Sequence, residues 1–311
     1  MIINKLINPQ PKAIIFFIVF AIILFLIPLH QNSYTLLFSS SHIPPALVFL
    51  LSLIIIPIHA IGLNNLVYAN SVIKKENIII AFVFVLLNSF YENSLNNLLC
   101  SFLMLFVLNY LFETYQKEQP FYQIFNASIT IGLATYLNPK VALFLLLILY
   151  TSVVFNHFKW RIFAASIIGF LTPHILHLII FLVMGKTFYM PESNFTINIL
   201  SIDDIYQLKT HQIILAIVLT ITCLFSIYEF LSWLYKKSIK SRKSFFILIF
   251  YVIISLLIII FFDFQSWYLL ITPSAIFIAN YFTYSKHRSL ANLIFLLLLI
   301  SSCYYRFMII I

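Results

Sequence analysis

The side chains able to do chemistry in this chain are few, and they sit beside long apolar runs. Glu92 lies in Asn88-Ser-Phe-Tyr91-Glu92-Asn-Ser94 and Asp263 in Phe261-Phe-Asp263-Phe-Gln-Ser-Trp267. A carboxylate at such a place can take a proton from a hydroxyl and turn it into a nucleophile. Lys140, in Tyr136-Leu-Asn-Pro-Lys140, and Lys186 are ammonium groups that can hold a phosphate and stabilise the charge it gains on leaving. Glu92 and Asp263 are therefore the candidate catalytic bases, and Lys140 and Lys186 the candidate substrate-binding residues. Asp263 equally fits a solvated turn, with Trp267 as an interfacial anchor.

Two further constellations weigh less. His174 and His177, in Leu171-Thr-Pro-His-Ile-Leu-His177, share one helix face at i and i+3, as two ligands of a metal would, and His59 lies in another apolar run. No carboxylate stands beside them and no HExxH motif is present, so hydrogen-bonded histidines beside a proline are expected, with no metal or cofactor. The run Lys236-Lys237-Ser-Ile-Lys240-Ser-Arg242-Lys243 reads as a topology anchor with some attraction for anionic lipid.

The elements that must carry these residues follow from composition. Of 311 residues, 63% are hydrophobic and only 9% charged, and the mean hydropathy is +1.05. Soluble domains carry about 25% charged residues. A soluble, disordered or nucleic-acid-binding protein is thereby excluded, and the expected partners are membrane lipids. Cys100, Cys223 and Cys303 stand far apart inside apolar runs and form no disulfide framework. The apolar stretch from Ala13 to Leu29 is too long for a cleaved signal sequence and is expected to remain as an anchor.

A bilayer core needs roughly 20 apolar residues per helix. Eleven candidate spans can be read: 13–29, 45–62, 78–91, 95–112, 122–138, 141–156, 163–184, 211–234, 245–262, 267–283 and 289–305. With the N-terminus cytoplasmic, fourteen of the eighteen Lys and Arg residues fall inside. Lys140, Lys186, Lys209 and Arg306 fall outside. Such a split through alternate loops is the positive-inside pattern, and losing one span would move later basic clusters to the wrong side. The expectation is all-α, eleven transmembrane helices, N-terminus cytoplasmic and C-terminus outside, in a bacterial inner membrane. Residues 1–311 form one membrane domain, with an outer loop over 185–210 and C-terminal helices over 211–311.

Two resemblances extend this reading. Trp160-Arg161 followed by Ile168-Gly169-Phe-Leu-Thr172-Pro173, with Met1-Ile-Ile-Asn and Pro9 to Lys12 ahead of the first span, resembles an uncharacterised family of Bacteroidota integral membrane proteins. That family implies a location and no mechanism. Asn88 to Phe112, then Asn126-Ala-Ser-Ile-Thr-Ile-Gly132 through Asn138-Pro-Lys140, is similar to the middle of polyprenyl-phosphate-dependent (GT-C type) glycosyltransferases. The resemblance implies a GT-C-like core over 1–184, with Glu92 and Lys140 at the matching positions and polyprenyl-phosphate as a partner. Those enzymes carry an acid in the first outer loop, and His30 to His42 has none. Either another carboxylate substitutes, or the scaffold is inactive, or the likeness is one of hydrophobic spacing. Sugar transfer from a lipid phosphate at the outer face is the leading expectation. A non-enzymatic scaffold subunit of an envelope complex and a transporter of lipid or small solute are the alternatives.

Overall fold

A computed structural model of the chain describes residues 3, 6, 7, 11–26, 45–89, 95–185, 210–262 and 264–308. Among them stand eleven α-helices: α1 (Pro11–Leu26), α2 (Pro45–Ala69), α3 (Ile79–Asn88), α4 (Leu95–Glu113), α5 (Phe121–Ala134), α6 (Leu145–Val154), α7 (Trp160–Val183), α8 (Thr210–Trp233), α9 (Ile239–Phe261), α10 (Tyr268–Tyr284) and α11 (Arg288–Met308). The described residues hold no named strand. A single antiparallel bridge, Ile7 with Asn77, stands alone. Each helix overlaps one of the eleven apolar runs.

Six helices, within α2, α4, α7, α8, α9 and α11, are long and apolar enough to cross a membrane. The protein thus has the architecture of a multi-pass membrane protein. The other five run from 10 to 17 residues. A ten-residue helix rises about 15 Å, half of a bilayer core of about 30 Å. Helix α3 has all ten residues buried, as an all-round apolar helix must when other helices enclose it. It packs against α2, α10 and α11.

Five buried hydroxyl groups inside the helices are satisfied locally. Ser128, Thr151, Ser152, Ser255 and Thr283 each donate to the carbonyl four residues earlier in their own helix. With no water at hand, this back-bonding removes the cost of an unpaired hydroxyl.

The chain packs as two compact units. The first comprises Met1–Leu98, Leu200–Arg242 and Trp267–Ile311, and the second Leu99–Ile199 and Lys243–Ser266. At one end of the first unit several loops meet. The Ile3 amide donates to Asn292 Oδ1 (3.2 Å), the Lys74 amide to Tyr284 Oη (3.2 Å), and Ser241 Oγ to the Val72 carbonyl (2.7 Å). Arg288 donates to the carbonyls of Phe282 and Thr283 (3.0 and 3.1 Å), closing the C-terminal end of α10. At the other end, Ser302 Oγ and Arg306 Nη2 donate to the carbonyls of Leu86 and Asn88 (both 3.3 Å), and the His211 ring lies 5.4 Å from that of Tyr305.

The second unit is held by two kinds of crossing. Helices α5 and α7 run the same way, with Gly132 against Pro173 and Gly169 against Phe125 and Ser128. Helices α6 and α9 meet through aromatic rings, with Phe144, at the entry to α6, on Tyr251 (4.6 Å) and Tyr150 stacked on Phe250 (4.1 Å). Helices α7 and α8, of different units, each turn most of their surface outward. Their apolar windows are only 17% and 22% buried.

Candidate functional site

The sequence Asn138-Pro139-Lys140 makes a tight entry into the chain that becomes α6. Asn138 is extended, and its Oδ1 accepts from the Lys140 amide at 3.1 Å. Pro139 then opens a 3₁₀ turn, Pro139–Phe144, with a φ already fixed for it and no N–H to leave unpaired. This cap holds the half-buried Lys140 at the tip of the turn.

From there Lys140 Nζ donates to the Phe262 carbonyl at 3.3 Å, just past the C-terminal end of α9. Carbonyls at a helix C-terminus lack intrahelical partners and carry the negative end of the helix dipole, so an ammonium is stabilised there. Asn138 Nδ2 donates to Ser266 Oγ at 3.3 Å, and both residues are buried. The 138–140 turn is therefore tied to the chain on both sides of Asp263, at positions 262 and 266. Of the four candidate site residues, Lys140 is described. Glu92, Lys186 and Asp263 lie outside the described residues. The structure thus brings Lys140 to the turn in which Asp263 stands in sequence.

The same end of α5 carries the histidine cluster. Thr135 Oγ1 lies 3.3 Å from His174 Nε2 and also donates to the Gly132 carbonyl (2.6 Å). Tyr136 Oη donates to the Pro173 carbonyl (3.2 Å), and its ring sits 5.1 Å from each of the His174 and His177 rings. Phe170 and Phe181 complete the surroundings. No three His, Cys, Asp or Glu side chains among the described residues are grouped to hold a metal ion. The two imidazoles act here as packing and hydrogen-bonding groups in the α5–α7 contact.

A further polar cluster sits in the first unit, between partners that no spacing or motif links. Lys237 Nζ donates to Asn280 Oδ1 at 2.6 Å and lies 5.4 Å from the Tyr284 ring centroid. Lys75 Nζ lies 5.4 Å from the same ring. Burial lowers the Lys237 amine from its usual 10.5 to about 7. The basic run is thus divided: Lys236 is exposed, whereas Lys237 is drawn inward to α10. In the second unit, His157 is buried beside α6, and burial, with Lys243 adding repulsion, lowers its pKa against the opposing effect of the Phe155 backbone.

Compared with protein-family models, with curated proteins and with solved structures, the chain matches none.

Proposed function

We propose that this protein crosses a bacterial inner membrane eleven times, N-terminus in the cytoplasm. In this reading the end of the second unit carrying Lys140 and the 262–266 turn handles a polyprenyl-phosphate-linked sugar, as a GT-C-like glycosyltransferase does. The observation that carries it is the hydrogen bond of Lys140 to the Phe262 carbonyl, which joins a lysine to the turn of an acidic residue. The orientation is supported by the sorting of loops. Each contact between turns named above joins two turns that the charge pattern assigns to one side.

The reaction needs little from the protein. A carboxylate, Asp263 or Glu92, accepts the proton of the acceptor hydroxyl as its oxygen bonds to the anomeric carbon. The bond from that carbon to the phosphate oxygen breaks, and the departing phosphate is held by Lys140, with Lys186 as a second cation. The lysine must release the Phe262 carbonyl to do so, which a half-exposed side chain can do by rotation. The experiment is sugar transfer from a polyprenyl-phosphate donor by protein in lipid nanodiscs. Asp263→Asn or Glu92→Gln is expected to abolish transfer with folding intact. Full activity in both variants overturns the assignment of the base.

A second reading, a non-enzymatic subunit of an envelope complex, rests on α7 and α8, whose outward apolar surfaces suit a partner helix as well as lipid. Stable co-purification of a second membrane protein, with no transfer by the complex, decides for it.

A further inference from the structure

The α4–α5 connection and the start of α7 enclose a concavity of about 340 Å³ within the second unit, lined by Glu118, Gln119, Phe121, Lys159, Trp160 and Arg161. Lys159 and Arg161 are exposed, and Trp160 is 76% exposed. A tryptophan this bare is unfavourable in water. On the first residue of a long apolar helix it stands where aromatic side chains meet lipid headgroups. Phe158 and Tyr122, also exposed, extend this aromatic rim. From the rim, Phe163, Ile167 and Leu171 follow at four-residue spacing on α7, all exposed. Two cations thus stand at the head of an apolar track. Lys159 is extended and gives α7 no side-chain cap, so the first amides of the helix open toward the same end.

A soluble anion would use the cations and leave the track bare, and an apolar peptide would use the track and leave the cations unpaired. A ligand with a negative head and an apolar tail uses both. We propose that this concavity binds an anionic phospholipid: Lys159 and Arg161 hold its phosphate, Trp160 lies beside its glycerol backbone, and one acyl chain follows Phe163, Ile167 and Leu171. Glu118, in the wall of the same concavity, opposes the phosphate and weakens binding. The inference rests on α7 being a membrane helix and not on transfer chemistry at Lys140, so the two stand or fall separately.

The test uses the full chain in nanodiscs of phosphatidylcholine and phosphatidylglycerol, with brominated acyl chains placed on one lipid or the other. The Trp160 signal is the fluorescence difference between the wild type and Trp160→Phe. At about a fivefold gain per cation near the surface, two cations opposed by one acid give about a fivefold preference for quenching by the anionic lipid. Lys159→Gln with Arg161→Gln leaves Glu118 unopposed and is expected to reverse the preference about fivefold toward phosphatidylcholine, and Glu118→Gln to raise the preference severalfold. The charge-conserving exchange of Lys159→Arg with Arg161→Lys retains it, which separates loss of charge from loss of fold. Equal quenching in the wild type, or an unchanged preference in the double glutamine variant, overturns the proposal. Inorganic phosphate is the remaining arm. Relief of the preference by phosphate beyond that by chloride at equal ionic strength marks a soluble-anion site and overturns the lipid assignment.

Discussion

Alanine at Gly169 perturbs the second unit most sharply at the α5–α7 crossing. A Cβ there would lie 2.7 Å from the Phe125 carbonyl oxygen and 2.9 Å from Ser128 Cβ. Ordinary contact is about 3.5 Å or more, so the helices must separate by about 0.8 Å. Neither obstacle can swing aside, because one is backbone and the other is fixed to it. Overpacking of this kind costs about 1–3 kcal/mol. Alanine's intrinsic helix advantage over glycine, about 0.5–1 kcal/mol, offsets part of that. The expected net loss is about 1–2 kcal/mol, or several degrees in the unfolding midpoint at about 2–4 °C per kcal/mol. Gly132→Ala meets the Phe170 carbonyl at 2.7 Å and the Pro173 ring at 2.6 Å, and behaves likewise. The double variant costs less than the sum, since the first alanine already parts the helices. Thermal unfolding in detergent, followed by circular dichroism and by recovery of monodisperse protein, measures all three. If either alanine leaves the midpoint unchanged or raises it, helix propensity outweighs packing here and the close-crossing argument fails.

Three other outcomes follow from the same structure. Gly185 ends α7 with φ of +63° and open space around it, so Gly185→Ala meets backbone strain alone. It is expected to cost about 1 kcal/mol in the same unfolding assay, and no loss contradicts the helix-end geometry. Burial holds the Lys237 amine at about 7, below its unfolded value of 10.5, so between those values the unfolded chain binds more protons. Stability therefore rises as pH increases from about 7 toward 10.5. The unfolding midpoint of the wild type should climb across that window and that of Lys237→Met should climb less, and parallel pH profiles would refute the burial argument. For the orientation, single cysteines at Glu118 and Lys286 in a cysteine-free background should react with an impermeant maleimide only after cells are opened, whereas one at Ser33 should react in intact cells; the reverse pattern inverts the topology.

Apolar length made the helices legible, and polar positions made their ends less so. The run over 45–62 continues as α2 to Ala69 because Asn64 and Asn65 extend the helix instead of ending it. Helix α9 begins at Ile239, six residues before its apolar run, because Lys240 to Lys243 follow the helix at the polar end of a membrane segment, where long cationic side chains reach outward. The run over 141–156 opens as a 3₁₀ turn, a start visible in Asn138-Pro139 as cap and first-turn proline. The site was less legible. Lys140 stands out in sequence as a rare outer cation, but its partner is a carbonyl 122 residues away, and any residue type supplies a carbonyl. The tie of Lys237 to Asn280 is hidden for a related reason. A basic run looks uniformly solvated until tertiary packing draws one member inward. Gly132 and Gly169 were open to a fuller reading, since small residues on apolar helices mark close approach.

The proposed role of Lys140 and the turn it grips is to serve a lipid-linked phosphate. Its most direct test is the rate of sugar transfer from a polyprenyl-phosphate donor by wild-type protein in nanodiscs beside Lys140→Met, which keeps a long side chain at the turn without the charge. Transfer by the wild type is expected, with a loss of at least a hundredfold in the variant, in line with the removal of one charge-stabilising donor at the reacting centre. Equal rates in the two proteins, or no transfer by a well-folded wild type under any donor tried, contradict it.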